Sequence, residues 1–164
     1  ILDIGAVTSS LIVWGLQDMF FTRDLPIGVH DLVKDVSSRR SLDYLAAQSE
    51  LISSGVDSFK KEEESEGIIA VSDRSALENF IEDVRRTLRF YAKSSNQSHF
   101  SGIYITGGGS SILGLDKLIQ EKLQLDTSVL DPFSGMDIRN DIVEGNRSQY
   151  AIATGLAVRG INKE

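Results

Sequence analysis

Short apolar runs dominate the first thirty residues, and each is broken by Gly, Asp or Pro. Ile1, Leu2 and Ile4 come first, then Leu11, Ile12 and Val13 before Gly15, then Met19, Phe20 and Phe21 leading past Pro26 to Ile27. β-Branched and aromatic residues bounded by turn formers predict three antiparallel strands with tight connections. From Val29 the spacing changes. Leu32, Val33, Val36, Leu42, Leu45, Ala46, Leu51 and Ile52 recur mostly three or four apart, which predicts one or two amphipathic helices, bent or interrupted by the polar stretch 37–41. Residues 57–66 place Lys60 and Lys61 before Glu62, Glu63, Glu64 and Glu66, with little beyond Phe59 to bury, and read as a solvated loop or exposed helix end.

The clearest helical stripe follows: Leu77, Phe80, Ile81, Val84, Leu88 and Tyr91, with Ser72 or Asp73 as candidate caps and a polar cluster at 94–98 as its end. Ile103, Tyr104 and Ile105 then predict a buried strand, Gly107, Gly108 and Gly109 a turn, and Ile112, Leu115, Leu118, Ile119 and Leu123 a helix face. A short strand over 127–130 is expected next, then an irregular stretch from Asp131-Pro132-Phe133 to Arg147. The last element, 148–159, reads as an alanine-rich helix containing Gly155, whose small side chains let a neighbour approach closely. The pattern is a mixed α/β layer with an inserted helical portion and no internal repeat.

Composition narrows the chemistry. Of 164 residues, 17 are basic and 24 acidic, a net charge of −7, so electrostatic capture of nucleic acid or of an anionic membrane is not expected. No cysteine is present and the two histidines, His30 and His99, are far apart, which removes a thiol nucleophile and a Cys/His zinc site and leaves the redox compartment open. At 41% hydrophobic residues a core can form without staples. No apolar run approaches the roughly 20 residues of a membrane-spanning helix. Opening on Ile1 just before Asp-x-Gly, the chain reads as a strand entered near its end, part of a longer protein.

Three segments could carry chemistry. Asp3-Ile4-Gly5-Ala6-Val7-Thr8-Ser9-Ser10 sets a carboxylate at a strand end before a turn of small residues; it is either plain hairpin chemistry or a turn that aims amides at a phosphate while Asp3 holds a hydrated Mg²⁺. Gly107 to Gly109 is either a flexible strand-to-helix turn or a place where bare backbone approaches an anion; it matches neither the P-loop nor the dinucleotide fingerprint. Glu82, Arg85, Arg86 and Arg89 fall at i, i+3, i+4 and i+7, one stripe that is either a solvated face or, on a cleft, a set of ribose acceptors and base-stacking guanidiniums. His30 and His99 read as surface residues, and Trp14 as core or edge packing. No Ser-His-Asp or paired-carboxylate arrangement can be assembled from the spacing.

In this order and spacing the segments resemble the actin-like ATPase superfamily and, within it, the C-terminal half of the PilM family, the type IV pilus assembly proteins related to FtsA. The resemblance runs through Asp3-Ile4-Gly5-Ala6, Phe21-Thr22-Arg23-Asp24-Leu25-Pro26-Ile27-Gly28, Glu82 to Tyr91, Ile105-Thr106-Gly107-Gly108-Gly109, Leu113-Gly114-Leu115, Asp131-Pro132-Phe133 and Tyr150 to Arg159. It implies an actin-like, ribonuclease H-like α/β subdomain: a mixed sheet flanked by helices over 1–30 and 98–164, plus a smaller, mainly helical subdomain inserted at 31–97, with the first half of the ATPase fold absent.

The resemblance further implies ATP with Mg²⁺ as cofactors of the complete protein. Asp3 would organise the metal through water; Gly5, Ala6 and Val7 would present backbone to the phosphates, with Ser9 as the turn's hydroxyl where the family usually carries threonine. Glu82 and Arg85 would contact ribose and base with Arg86 or Arg89 assisting, and Gly107, Gly108 and Gly109 would lie along the nucleotide. The strand-closing glycine pair of the family is here Gly28-Val29. The parent would be a cytoplasmic pilus component, reaching the inner membrane through partners such as PilN and capable of self-association. Without the first half, which carries the other phosphate loop and most of the PilN-docking surface, the chain is not expected to hydrolyse ATP alone. The alternative is a nucleotide-independent actin-like scaffold.

Overall fold

The computed structural model describes residues 1–15, 20–60, 74–97, 99–137 and 145–161. Strands β1 (Leu2–Ile4), β2 (Ser9–Trp14) and β3 (Phe20–Leu25) pair antiparallel, and β4 (Ile103–Thr106) and β5 (Thr127–Val129) join β1 in parallel, giving the order β3-β2-β1-β4-β5. Period-two alternation decides the faces. Leu2, Ile4, Leu11, Val13, Leu25, Ile103 and Ile105 are buried and share one hydrophobic cluster with the helices. Asp3, Ser10, Ile12, Trp14, Phe20 and Tyr104 fall on the opposite face, where Trp14 and Phe20 stack with ring centroids 5.9 Å apart while remaining 69% and 67% exposed. Trp14 is edge packing, not core.

Helix α1 (Val29–Arg40) starts at Gly28, whose N–H donates to the Asp31 carboxylate, and buries Leu32, Val33 and Val36. It runs through most of the polar stretch 37–41 and is interrupted at its end, at Ser41, in the left-handed conformation at φ 51°. Asp43 caps α2 (Tyr44–Ser54) by accepting from the Ala46 N–H, and Gly55, at φ 57°, ends it. A 3-10 turn over Gly55–Phe59 follows. Helix α3 (Ala76–Ser95) opens on a reciprocal cap at Ser75: its hydroxyl accepts from the Glu78 N–H while the Glu78 carboxylate accepts from the Ser75 N–H. Such a cap contributes about 1 kcal/mol. The caps expected at Ser72 or Asp73, like Met19, Ser98 and most of the acidic run, lie outside the described residues.

All six predicted stripe residues of α3 are buried, and Thr87 joins them by donating its hydroxyl to the Asp83 carbonyl. Helix α4 (Leu115–Leu123) buries Leu115 and Ile119. Helix α5 (Ala151–Ile161), entered from a 3-10 turn over Arg147–Tyr150, buries none of its residues. Among the described residues the layers therefore leave two apolar surfaces uncovered: the Trp14 side of the sheet and the length of α5.

Candidate functional site

Two backbone turns meet at the carboxyl ends of β1 and β4. Asp3 and Thr106 are register partners on adjacent parallel strands, so the 5–8 turn after β1 and the glycine turn after β4 leave the sheet side by side. Their packing excludes side chains. A Cβ on Gly107, at φ 81°, would lie 2.3 Å from Asp3 Oδ1 and 2.7 Å from the Ile4 carbonyl oxygen; one on Gly109 would lie 2.3 Å from the Ile4 side chain. The glycines are thus required by close approach and, at Gly107, by a backbone conformation that other residues rarely adopt.

The 5–8 turn is held by its carbonyls. Gly5 N–H donates to Thr8 O at 3.1 Å, closing the turn, and the first amides of α1 take the next two oxygens: Val29 N–H to Gly5 O at 3.0 Å and His30 N–H to Ala6 O at 2.8 Å. Gly28 makes this fit possible, since a Cβ there would come within 2.6 Å of Ala6 and Val7 backbone atoms. In a trans peptide the C=O and the following N–H point in opposite directions. Fixing the oxygens of Gly5 and Ala6 against α1 therefore turns the Ala6 and Val7 N–H groups away from it. The amides of Ala6, Val7, Thr8, Gly108 and Gly109 make no hydrogen bond among the described residues.

The Asp3 carboxylate also makes no hydrogen bond or ion pair among the described residues, and burial pushes its pKa above the usual aspartate range. It fits a hydrated divalent cation: one half-buried carboxylate, free of cationic side chains, beside unpaired amides. No group of three or more potential metal ligands occurs among the described residues, so an ion here would keep most of its water.

The remaining expected residues stand elsewhere. Ser9 is 1% exposed and donates its hydroxyl to the Ile27 carbonyl at 2.7 Å, on the core face with its partner Ile4; it braces the strand ends and cannot meet a phosphate from there. Glu82 pairs with Arg85 and lies 3.7 Å from Arg86, while Arg85 donates to the Lys122 carbonyl at 2.6 Å. Lys122 is in the last turn of α4, roughly 12 Å along the helix from the glycine turn that precedes it. The stripe therefore brackets α3 to the far end of α4 and stands apart from the two backbone turns, by a span comparable to the length of a nucleotide. The 3-10 turn after α2 packs instead on the segment entering α4: Val56 N–H donates to the Leu113 carbonyl at 3.0 Å, and a Cβ on Gly55 would be 2.1 Å from that oxygen.

The sequence pattern described as type IV pilus assembly protein PilM matches residues 1–161. The chain belongs to the PilM family. In the solved PilM-PilN type IV pilus biogenesis complex, one chain is 24% identical over 98% of this chain and 45% of its own, with a TM-score of 0.74. MreB5 of Spiroplasma citri, solved bound to AMPPNP, is 17% identical over 99% of this chain and 53% of its own, with a TM-score of 0.64. The ethanolamine utilization protein EutJ from Carboxydothermus hydrogenoformans is 15% identical over 96% and 47%, with a TM-score of 0.62. The fold of this PilM-family chain is actin-like, as the strand order and these likenesses show together. It spans about half the length of each of these proteins. Among the described residues, no helix is long and apolar enough to cross a membrane.

Proposed function

We propose that this chain supplies one wall of a Mg-nucleotide site in a type IV pilus assembly component, with ATP as the ligand of the complete protein. The observation that carries the reading is the set of unpaired amides at Ala6, Val7, Thr8, Gly108 and Gly109 beside Asp3. Amides attract an anion, but a carboxylate at the same place repels one unless a cation stands between them. The pair of features therefore selects metal-complexed phosphate over a bare anion. Asp3 would hold the Mg²⁺ through water, Ala6, Val7, Thr8, Gly108 and Gly109 would offer their amides to the phosphates, and Gly5 and Gly107, whose N–H groups are already paired, would shape the two turns. Support comes also from the AMPPNP bound to the MreB5 of similar fold. Arg85 ties α3 to the end of α4, and from there Glu82, Arg85 and Arg86 would meet ribose and base rather than phosphate.

The PilM seen with PilN supports PilN as a partner of the complete protein, working in the cytoplasm at the inner membrane through such contacts. The second reading, an actin-like scaffold that needs no nucleotide, is favoured by the apolar surfaces of α5 and the open sheet face. An NMR titration with millimolar Mg-ATP, repeated with EDTA, separates the two. Nucleotide binding moves the resonances of 5–8 and 107–109 in the presence of Mg²⁺ and much less in its absence. Unmoved resonances, in this chain and in the complete protein, leave the scaffold.

A further inference from the structure

We infer that Asn146 is a positioning residue of the nucleotide site, the clamp that turns the amides of Gly108 and Gly109 toward the ligand; this rests on the nucleotide reading above. Three consecutive glycines have the largest conformational freedom of any tripeptide; the Ser110 and Ser111 hydroxyls hold the Gly107 and Gly108 carbonyls from within the turn, at 2.7 and 2.9 Å, and Asn146 adds a grip on the same two oxygens from outside it. Asn146 Nδ2 donates to the Gly107 carbonyl at 3.2 Å and to the Gly108 carbonyl at 3.3 Å. Those are the oxygens of the two peptide planes whose N–H groups belong to Gly108 and Gly109. Because C=O and N–H oppose each other across a trans peptide, gripping these two oxygens from one side sends these two amides to the other. Both amides are unpaired among the described residues.

The clamp is itself anchored. Asn146 Oδ1 accepts from the Ser148 N–H at 3.1 Å, and the buried Ser148 carbonyl accepts from Thr106 Oγ1 at 2.9 Å and from the Gly107 N–H at 3.4 Å. One side chain thus ties the segment before α5 to the glycine turn after β4. The device repeats the one at the 5–8 turn, where the first amides of α1 grip the oxygens of Gly5 and Ala6.

The test uses the complete protein with selectively ¹⁵N-labelled glycine and the variant Asn146→Ser. Serine keeps a neutral acceptor for the Ser148 N–H and loses the two-carbonyl grip; Asn146→Ala is the second variant, in case serine donates to one carbonyl. The expected result is displaced or broadened Gly108 and Gly109 resonances with Gly5 unmoved, Mg-ATP affinity lower by about tenfold or more, and the weaker binding of adenosine unchanged, since only phosphate contacts are lost. Unmoved glycine resonances in both variants overturn the clamp, whatever the nucleotide does. Moved resonances with equal Mg-ATP affinity overturn the positioning role. If the unsubstituted protein binds no Mg-ATP, the nucleotide reading falls and takes the positioning role with it, while moved glycine resonances still identify the clamp itself.

Discussion

Asp3 costs stability in order to be useful. Its carboxylate is partly desolvated with no partner among the described residues, so folding favours its protonated form and raises its pKa. The sign follows: below the ordinary aspartate pKa of about 3.9, folded and unfolded states both hold the proton and there is no penalty. As pH rises through that value toward the higher folded one, the unfolded state ionises first, and the penalty grows until it levels off above the folded pKa. Asp3→Asn is therefore expected to raise the Tm at pH 7 by a few degrees at most and to lose that advantage near pH 3.5, with Mg-dependent ATP binding abolished at both. Thermal melts at the two pH values check it, and a lower Tm at pH 7 would mean that the carboxylate is satisfied. At this scale the sequence was only partly legible. Ser9 could have been placed from phase alone, since it alternates with Leu11 and Val13 on the buried face while Asp3 and Ser10 take the other. Asn146 could not: its partners are 38 and 39 residues away, and nothing local marks it.

The elements were read more fully than their neighbours. A stripe such as Leu77 to Tyr91 fixes a helix and its buried face from sequence alone, and Ser75 with Glu78 carries the Ser-x-x-Glu signature that located the cap more accurately than the expectation at Ser72 or Asp73. A stripe does not say which end of which helix it meets. The spacing of Glu82, Arg85 and Arg86 is the same for a ribose clamp and for a bracket, and the bond from Arg85 to the Lys122 carbonyl fixes only where the stripe stands, at the far end of α4, a place that serves either role. On the proposed ribose role, Glu82→Ala is expected to weaken Mg-ATP binding in the complete protein and to cost about 1 kcal/mol or less in urea unfolding, the range of partly exposed ion pairs. Unchanged affinity would leave Glu82 as part of the bracket alone.

For the whole molecule, the decisive feature is an apolar helix that no described residue covers. Ile152, Leu156 and Ile161 are 66%, 64% and 76% exposed, and no residue of α5 is buried, although its sequence, with Ala, Gly, Ile, Leu and Val throughout, is that of a helix buried all round. The small residues expected to admit a close neighbour are present; the neighbour is not among the described residues. The same holds for the sheet face carrying Trp14, Phe20 and Tyr104. Exposed apolar surface of this kind drives association, whereas the stability of this chain rests on the single cluster between the other sheet face and the helices. The two properties should separate. Replacing Ile152 and Leu156 together by Glu is expected to move the Tm by no more than about 2 °C, because neither side chain loses packing, and to reduce self-association in sedimentation at high protein concentration. Phe80→Ala, which empties a fully buried site, should instead cost about 3–5 kcal/mol. If the double substitution lowers the Tm as far as the core one does, α5 packs against the sheet in solution, and the open face is covered from within the chain itself.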